Sequence, residues 1–297
     1  MKMIFIFLDG FGLGSDDPEI NPLKKIPTPN LDMIFKRFGF IKTDCSLGVP
    51  GLPQSATGQT AIFTGTNAPE IVGRHISGQP TISLRKIINN NNLFKELQSL
   101  GLKVANANVY RDDYLKKMLD PSDKEVKPSV TSVMTMSAGI NFKNVDDYIN
   151  NEGIYHDITG EVLIENGYNV EPSTPERTAD ILCNISEKYD FTLFEHFMSD
   201  IIGHKADMDK AKKEIQLIDR FLGELFRKID LSRFVVVITS DHGNIEDMSV
   251  RTHTMNKVPT VVAGAVPEGY KIRVNSLVDI MPMVVGMFKY SRKQGMQ

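Results

Sequence analysis

Two cysteines, Cys45 and Cys183, are all that the 297 residues contain. They show no C-x-x-C spacing and cannot build a disulfide framework. A long apolar run is missing too. The opening stretch Ile4 to Leu8 is only five residues and stops at Asp9. That is too short for the apolar region of a signal peptide, and far below the about 20 residues of a membrane span. Without a secretion signal, Asn184-Ile185-Ser186 is more simply a helix-surface coincidence than a glycosylation site. Nor is there an excess of one charge: 34 Lys+Arg against 37 Asp+Glu leave a net charge of -3. A nucleic-acid binder or a membrane-surface protein favours a basic excess. The expectation is a cytoplasmic protein with neither partner, whose attraction for any anionic ligand is local.

What is present fits a soluble globular chain, with 41% apolar, 24% charged and 8% aromatic residues. A chain of this length buries roughly 75% of its unfolded surface, enough for one large core or two domains. Short apolar, β-branched runs alternate with helix-period segments, the pattern of an α/β fold with a mostly parallel sheet sandwiched by helices. Strands are expected at Met3 to Leu8, Lys103 to Asn108, Tyr189 to Phe197, Phe234 to Ser240 and Val258 to Ala263. The run Phe234-Val235-Val236-Val237-Ile238 is apolar at every position, so it belongs in the sheet centre with both faces covered. Helices are expected at Asn91 to Leu100 and at Asp207 to Ile229, with another opening at Thr174-Pro175. A last helix starts from a capping box at Ser276-Leu277-Val278-Asp279. Residues 109–172 break this rhythm and read as a small inserted cap, set between core segments 1–108 and 173–297.

Ligands in open α/β sheets bind at the carboxyl ends of the strands. Three polar clusters fall there: Asp9 with Gly10 and Gly12, Asp200 to His204, and Asp241-His242-Gly243-Asn244. Each alone also reads as a cap or turn; the three together point to one site. Asp200 and His204, four apart, share a face of a helical turn and can grip one ion. His253 follows closely enough to close the site, or else is a surface or capping histidine. Carboxylates mixed with imidazoles suit Zn²⁺ or Mn²⁺ better than Ca²⁺. The segment Pro53-Gln54-Ser55-Ala56-Thr57-Gly58 runs from turn residues into a helical pattern. It places Ser55 or Thr57 at a helix N-terminus, where free N–H groups favour an anion, or where either is a plain cap.

In chain order these segments resemble the alkaline phosphatase superfamily of binuclear metalloenzymes, and most closely the phosphatase-like half of cofactor-independent phosphoglycerate mutase. The matching residues are Asp9-Gly10-Phe11-Gly12, Ser55-x-x-Gly58 with Thr64-Gly65, Asp200-x-x-Gly203-His204, Ser240-Asp241-His242-Gly243-Asn244 with Glu246, and His253-Thr254-x-Asn256-x-Val258-Pro259. The resemblance implies an alkaline phosphatase-like core and two divalent ions, Mn or Zn. One would be held by Asp200, His204 and His253, the other by Asp9, Asp241 and His242 with Ser55. It implies Ser55 as the nucleophile that becomes phosphorylated, with Thr57 as the fallback, and a small-molecule phosphate ester as substrate. Arg74, Arg111, Lys205 and Arg251 are candidates for a second anionic group of that substrate. The mutase carries a second large domain after its nucleophile segment, whereas the unmatched segment here is about sixty residues, below the size of an ordinary domain. The expectation is therefore hydrolysis of a phosphomonoester or phosphodiester. The alternatives are a phosphomutase and an inactive metal-binding scaffold.

Overall fold

The β-branched runs form a six-stranded sheet in the order β2-β6-β5-β1-β4-β3. Its strands are β1 (Lys2–Leu8), β2 (Ile41–Thr43), β3 (Val104–Asn106), β4 (Phe191–His196), β5 (Phe234–Thr239) and β6 (Val258–Gly264) in a computed structural model that describes residues 1–294. Strands β3, β4, β1 and β5 are parallel neighbours. β6 runs antiparallel to β5, and β2 antiparallel to β6. The sheet is thus mostly parallel. β5 is buried along its whole length, and so is β1 from Met3 on; both lie inside the sheet, as two-sided burial demands.

Alternation along β1 feeds two cores, because successive side chains leave a strand on opposite faces. Met3, Phe5 and Phe7 join Ile62 and Phe63 of the helix Ser55–Thr64, Phe94 of Leu93–Ser99 and Val284 of Ile280–Gln294. Ile4, Ile6 and Leu8 face Leu182 of Pro175–Ser186 and Ile215, Ile218 and Leu222 of Met208–Lys228. Each fully buried aromatic or aliphatic side chain contributes about 1.5–3 kcal/mol of transfer free energy. The caps fall where local chemistry places them. Thr174 accepts from the Arg177 N–H, Asp207 from those of Asp209 and Lys210, and Ser276 and Asp279 form a reciprocal capping box.

Residues 109–172 contain the short helices Asp112–Leu119, Val130–Ser137, Val145–Ile149 and Glu161–Glu165. Val109, Val145, Tyr148, Tyr155 and Leu163 form a satellite cluster of their own. Val130, Val133 and Met134 instead join the core that contains Phe5 and Phe7.

The register decides where the polar strand ends meet. Phe7 stands opposite both Glu195 and Thr239, and Leu8 opposite His196. Continued two residues, it brings Asp9 level with Asp241.

Candidate metal centre

Past Leu8 the chain turns on Gly10, whose φ of +69° and 2.9 Å clearance to Asp200 leave no room for a Cβ. The Gly10 N–H donates to Asp241 Oδ1 at 3.3 Å, and the Phe11 N–H to Ser240 Oγ at 2.9 Å, which ties the ends of β1 and β5 together. Asp200 comes from the short helix Met198–Gly203 that follows β4, and His204 is its C-cap. His253 lies in the loop before β6, and Ser55 is the first residue of the helix Ser55–Thr64.

All seven residues converge. Asp200 Oδ1 is 3.3 Å from His253 Nε2, and Asp200 Oδ2 is 3.4 Å from His204 Nε2. His242 Nε2 lies 2.9 Å from Ser55 Oγ, 3.3 Å from Asp9 Oδ1 and 3.5 Å from Asp241 Oδ2. Among the described residues two groupings of donor atoms are compact enough for a metal: Asp200 with His204 and His253, and Asp9 with Asp200 and His242. Asp200 belongs to both. Asp241 reaches the second grouping through its contact with His242.

The backbone fixes the imidazoles. His253 Nδ1 lies 2.8 Å from the Pro53 carbonyl and His204 Nδ1 lies 2.9 Å from the Arg251 carbonyl, so in each ring the hydrogen belongs on Nδ1. Their Nε2 lone pairs then face each other at 3.1 Å. Two acceptors at that separation repel unless a cation lies between them, and a carbonyl behind each ring is the usual support of a metal-binding histidine. Asp9 Oδ1 and Asp241 Oδ2 are buried with no hydrogen-bond partner among the described residues. These orphaned oxygens, with the opposed imidazoles, fit divalent ions bound through oxygen and nitrogen.

The charges are strained accordingly. Burial, reinforced by the Asp241 carboxylate, pushes the Asp9 carboxyl up to about 8, and burial raises Asp241 as well. Burial alone would lower His242, but Asp241 and Asp9 outweigh it and hold the imidazole at about 10. Burial would raise Asp200, but the neighbouring His253 and His242 imidazoles and the Asn244 amide hold it at about 2. Acidic oxygens crowded out of water in this way are relieved by a cation.

Three supporting residues lie outside the expected set. Gln59 Nε2 donates to Asp9 Oδ2 at 3.0 Å; it is four residues beyond Ser55 on the same helix, a spacing that puts both on one face. Asn244 Nδ2 donates to Asp200 Oδ1 at 2.6 Å. Glu195 lies buried in β4, where the lone acidic residue in an apolar strand was the available signal. Thr57, the fallback nucleophile, is buried and engaged: its hydroxyl donates to the Gln54 carbonyl and accepts from the Ile76 N–H. Among the four basic candidates, Arg111 lines the cavity above Ser55, whereas Arg74, Lys205 and Arg251 are exposed and outside its lining.

Known proteins resemble this chain in sequence and in fold. The sequence profile of the Metalloenzyme superfamily matches residues 1–291. A 2,3-bisphosphoglycerate-independent phosphoglycerate mutase of Roseobacter denitrificans is 31% identical over 127 residues, which is 40% of this chain and 25% of the relative. The match thus spans about a quarter of the length of that curated relative. Among solved structures, the PH0037 protein from Pyrococcus horikoshii superposes with a TM-score of 0.63 at 16% identity, over 97% of both chains. Alkaline phosphatase from the Antarctic bacterium TAB5 superposes with a TM-score of 0.58 at 15% identity, over 97% of this chain and 98% of its own. At such identities the likeness is one of fold. No helix among the described residues is long and apolar enough to cross a membrane.

Proposed function

We propose that this chain, which belongs to the Metalloenzyme superfamily, transfers a phosphoryl group through Ser55 and releases it to water, hydrolysing a small phosphate ester. The single observation that carries the reading is the position of Ser55 Oγ, 2.9 Å from His242 Nε2 at the edge of the orphaned carboxylates. Asp200, His204 and His253 would hold one ion and Asp9, Asp241, His242 and Ser55 the other, with Asp200 touching both. Mn²⁺ or Zn²⁺, which suit this donor set, would neutralise phosphoryl oxygens and the Ser55 oxygen.

The protein's own part is positioning. Ser55 opens a helix with no side-chain cap, so the first-turn N–H groups are free to receive phosphoryl oxygens. Gln59 and the Ser199 hydroxyl, which donates to the Asp9 carbonyl at 2.5 Å, fix Asp9 beside Ser55. The Ser55 hydroxyl gives its proton to solvent, the Oγ–P bond forms as the ester P–O bond breaks, and the leaving alcohol takes a proton from solvent. Water then cleaves the Oγ–P bond and restores the hydroxyl. Each displacement gains from the fixed alignment of its reacting atoms.

A second reading, intramolecular transfer between two positions of one substrate, is favoured by the activity named for the curated relatives. One assay separates the two: the metal-loaded protein is given a panel of phosphomonoesters, phosphodiesters and sugar phosphates, and inorganic phosphate and isomers are both quantified. Hydrolysis predicts stoichiometric phosphate that Ser55→Ala abolishes by about 10³-fold or more. Isomers without phosphate would replace this reading by the mutase, and unchanged turnover in Ser55→Ala would remove Ser55 from the reaction.

A further inference from the structure

Above Ser55 and Asp9 opens a cavity of about 590 Å³, within the usual size of a small-molecule site. Residues 109–172 supply about half of its lining, and part of the wall is aromatic. Tyr110 and Tyr114 lie nearly parallel, 21° apart with centroids at 6.2 Å. Opposite in character is the His156–Phe197 stack at 3.8 Å, with Tyr155 against the same imidazole at 4.2 Å. Flat rings in a pocket wall favour flat partners, through area burial and offset or edge-on ring contacts.

The described lining offers a second anion no unengaged Lys or Arg. Arg111 is the one Lys or Arg among the described lining residues, and it is already engaged by Asn166 Oδ1 and, at 3.5 Å, by Asp113. Beside it stands the carboxyl of Glu195, which is not among the residues that would hold an ion. Glu195 is buried and accepts from the Thr131 hydroxyl. A carboxylate arriving on a substrate would meet this acid and a desolvated wall, a placement that costs several-fold to many-fold in affinity. A neutral polar substituent fares better. The buried Nδ1 of His156 has no partner among the described residues, and burial keeps that imidazole neutral.

Resting on the phosphoryl-transfer reading above, we infer that the substrate is a phosphomonoester of a flat, uncharged ring-bearing alcohol, its ring lying against the aromatic side chains Tyr110, Tyr114, Tyr155 and Phe197 of this lining. An ester with a second anionic group, such as a phosphorylated hydroxy acid, is disfavoured.

The test is a binding measurement and needs no turnover. The metal-loaded protein is titrated with 2-naphthylphosphonate and, separately, phosphonoacetate, both resistant to hydrolysis. The chain has no tryptophan, so naphthyl fluorescence is read directly, and calorimetry serves for phosphonoacetate. The expected result is a preference of about tenfold or more for the naphthyl ligand, equivalent to about 1.4 kcal/mol, that falls to near unity in Tyr114→Ala. Tyr155→Leu, which keeps an apolar group in the satellite cluster, decides the matter if Tyr114→Ala does not fold. Equal or tighter binding of phosphonoacetate overturns the inference, as does a preference that survives both substitutions. Naphthylphosphonate binding without any phosphate release from esters would overturn the hydrolytic reading and leave the ring preference standing.

Discussion

The imidazoles of His242 and His253 lie face to face, with ring centroids 3.7 Å apart and planes within 16° of parallel. Each ring presents its Nε2 to a different set of carboxylate oxygens: His242 to Asp9 and Asp241, His253 to Asp200. The stack is a shared wall between two ligand groupings, and it forces any ions they hold to be close neighbours. Asp200 bridges the same gap from the other side.

That sharing predicts unequal consequences of removing ligands. Asp200→Ala should strip both ions, taking the metal content from two per chain to near zero by elemental analysis. His204→Ala should leave about one, because His204 belongs only to the outer grouping and is exposed. Chelation of the unsubstituted protein should lower its melting temperature, as ions bound only to the native state must raise it. Equal metal loss in the two variants would dissolve the bridging role of Asp200.

Glu195 gives a pH dependence. Burial pushes its carboxyl up to about 7 from an ordinary 4.5. Below the unfolded value both states hold the proton and folding is not penalised. Between 4.5 and about 7 only the folded state holds it, so stability falls as pH rises, by up to about 3 kcal/mol once both states are ionised. Glu195→Gln, which cannot ionise, should gain stability over the unsubstituted chain progressively from pH 5 to pH 8 in urea titrations run with chelator. A constant difference across that range would contradict the assignment.

Glu246 is the strut behind the site. It receives the N–H groups of Gly12 at 3.0 Å and Asn244 at 2.7 Å, the Thr254 hydroxyl at 2.5 Å and Asn256 Nδ2 at 3.0 Å. A Cβ on Gly243 would run into Glu246 Oε1 and Thr254 Oγ1, so the close packing needs glycine there. Glu246→Gln turns an amide donor toward groups that already donate and should cost about 2–4 kcal/mol in urea unfolding. It should also weaken metal binding by about 10–100-fold, because the loop carrying His253 loses its anchor. Unchanged stability would mean that the network relaxes around the amide.

Most strands and the polar residues that converge at their ends were legible because each depends on short-range pattern. The all-apolar runs Ile4–Leu8 and Phe234–Ile238 lead to Asp9 and Asp241, the mixed strand Phe191–His196 leads to the Asp200 turn, and the sheet puts those ends side by side. β2 was not legible: Ile41–Thr43 is three residues long and only Thr43 is buried, so it carries no periodicity. The antiparallel direction of β6 depends on tertiary pairing with β5, which no local pattern encodes. The role of Asp200 across both groupings was hidden for the same reason, since spacing relates it only to His204. Residues 109–172 broke the helical rhythm because their apolar residues serve two clusters, one local and one beneath the sheet.

Trapping the covalent state tests phosphoryl transfer through Ser55 most directly. The metal-loaded protein, mixed with an aryl phosphate and quenched in acid within one turnover, is digested and the peptide spanning Ser55 and Thr57 is weighed and fragmented. The account predicts the mass of one added phosphoryl group, located on Ser55 and missing from Ser55→Ala. Substrate turnover with that peptide unmodified, or with the phosphoryl group on Thr57, would contradict it.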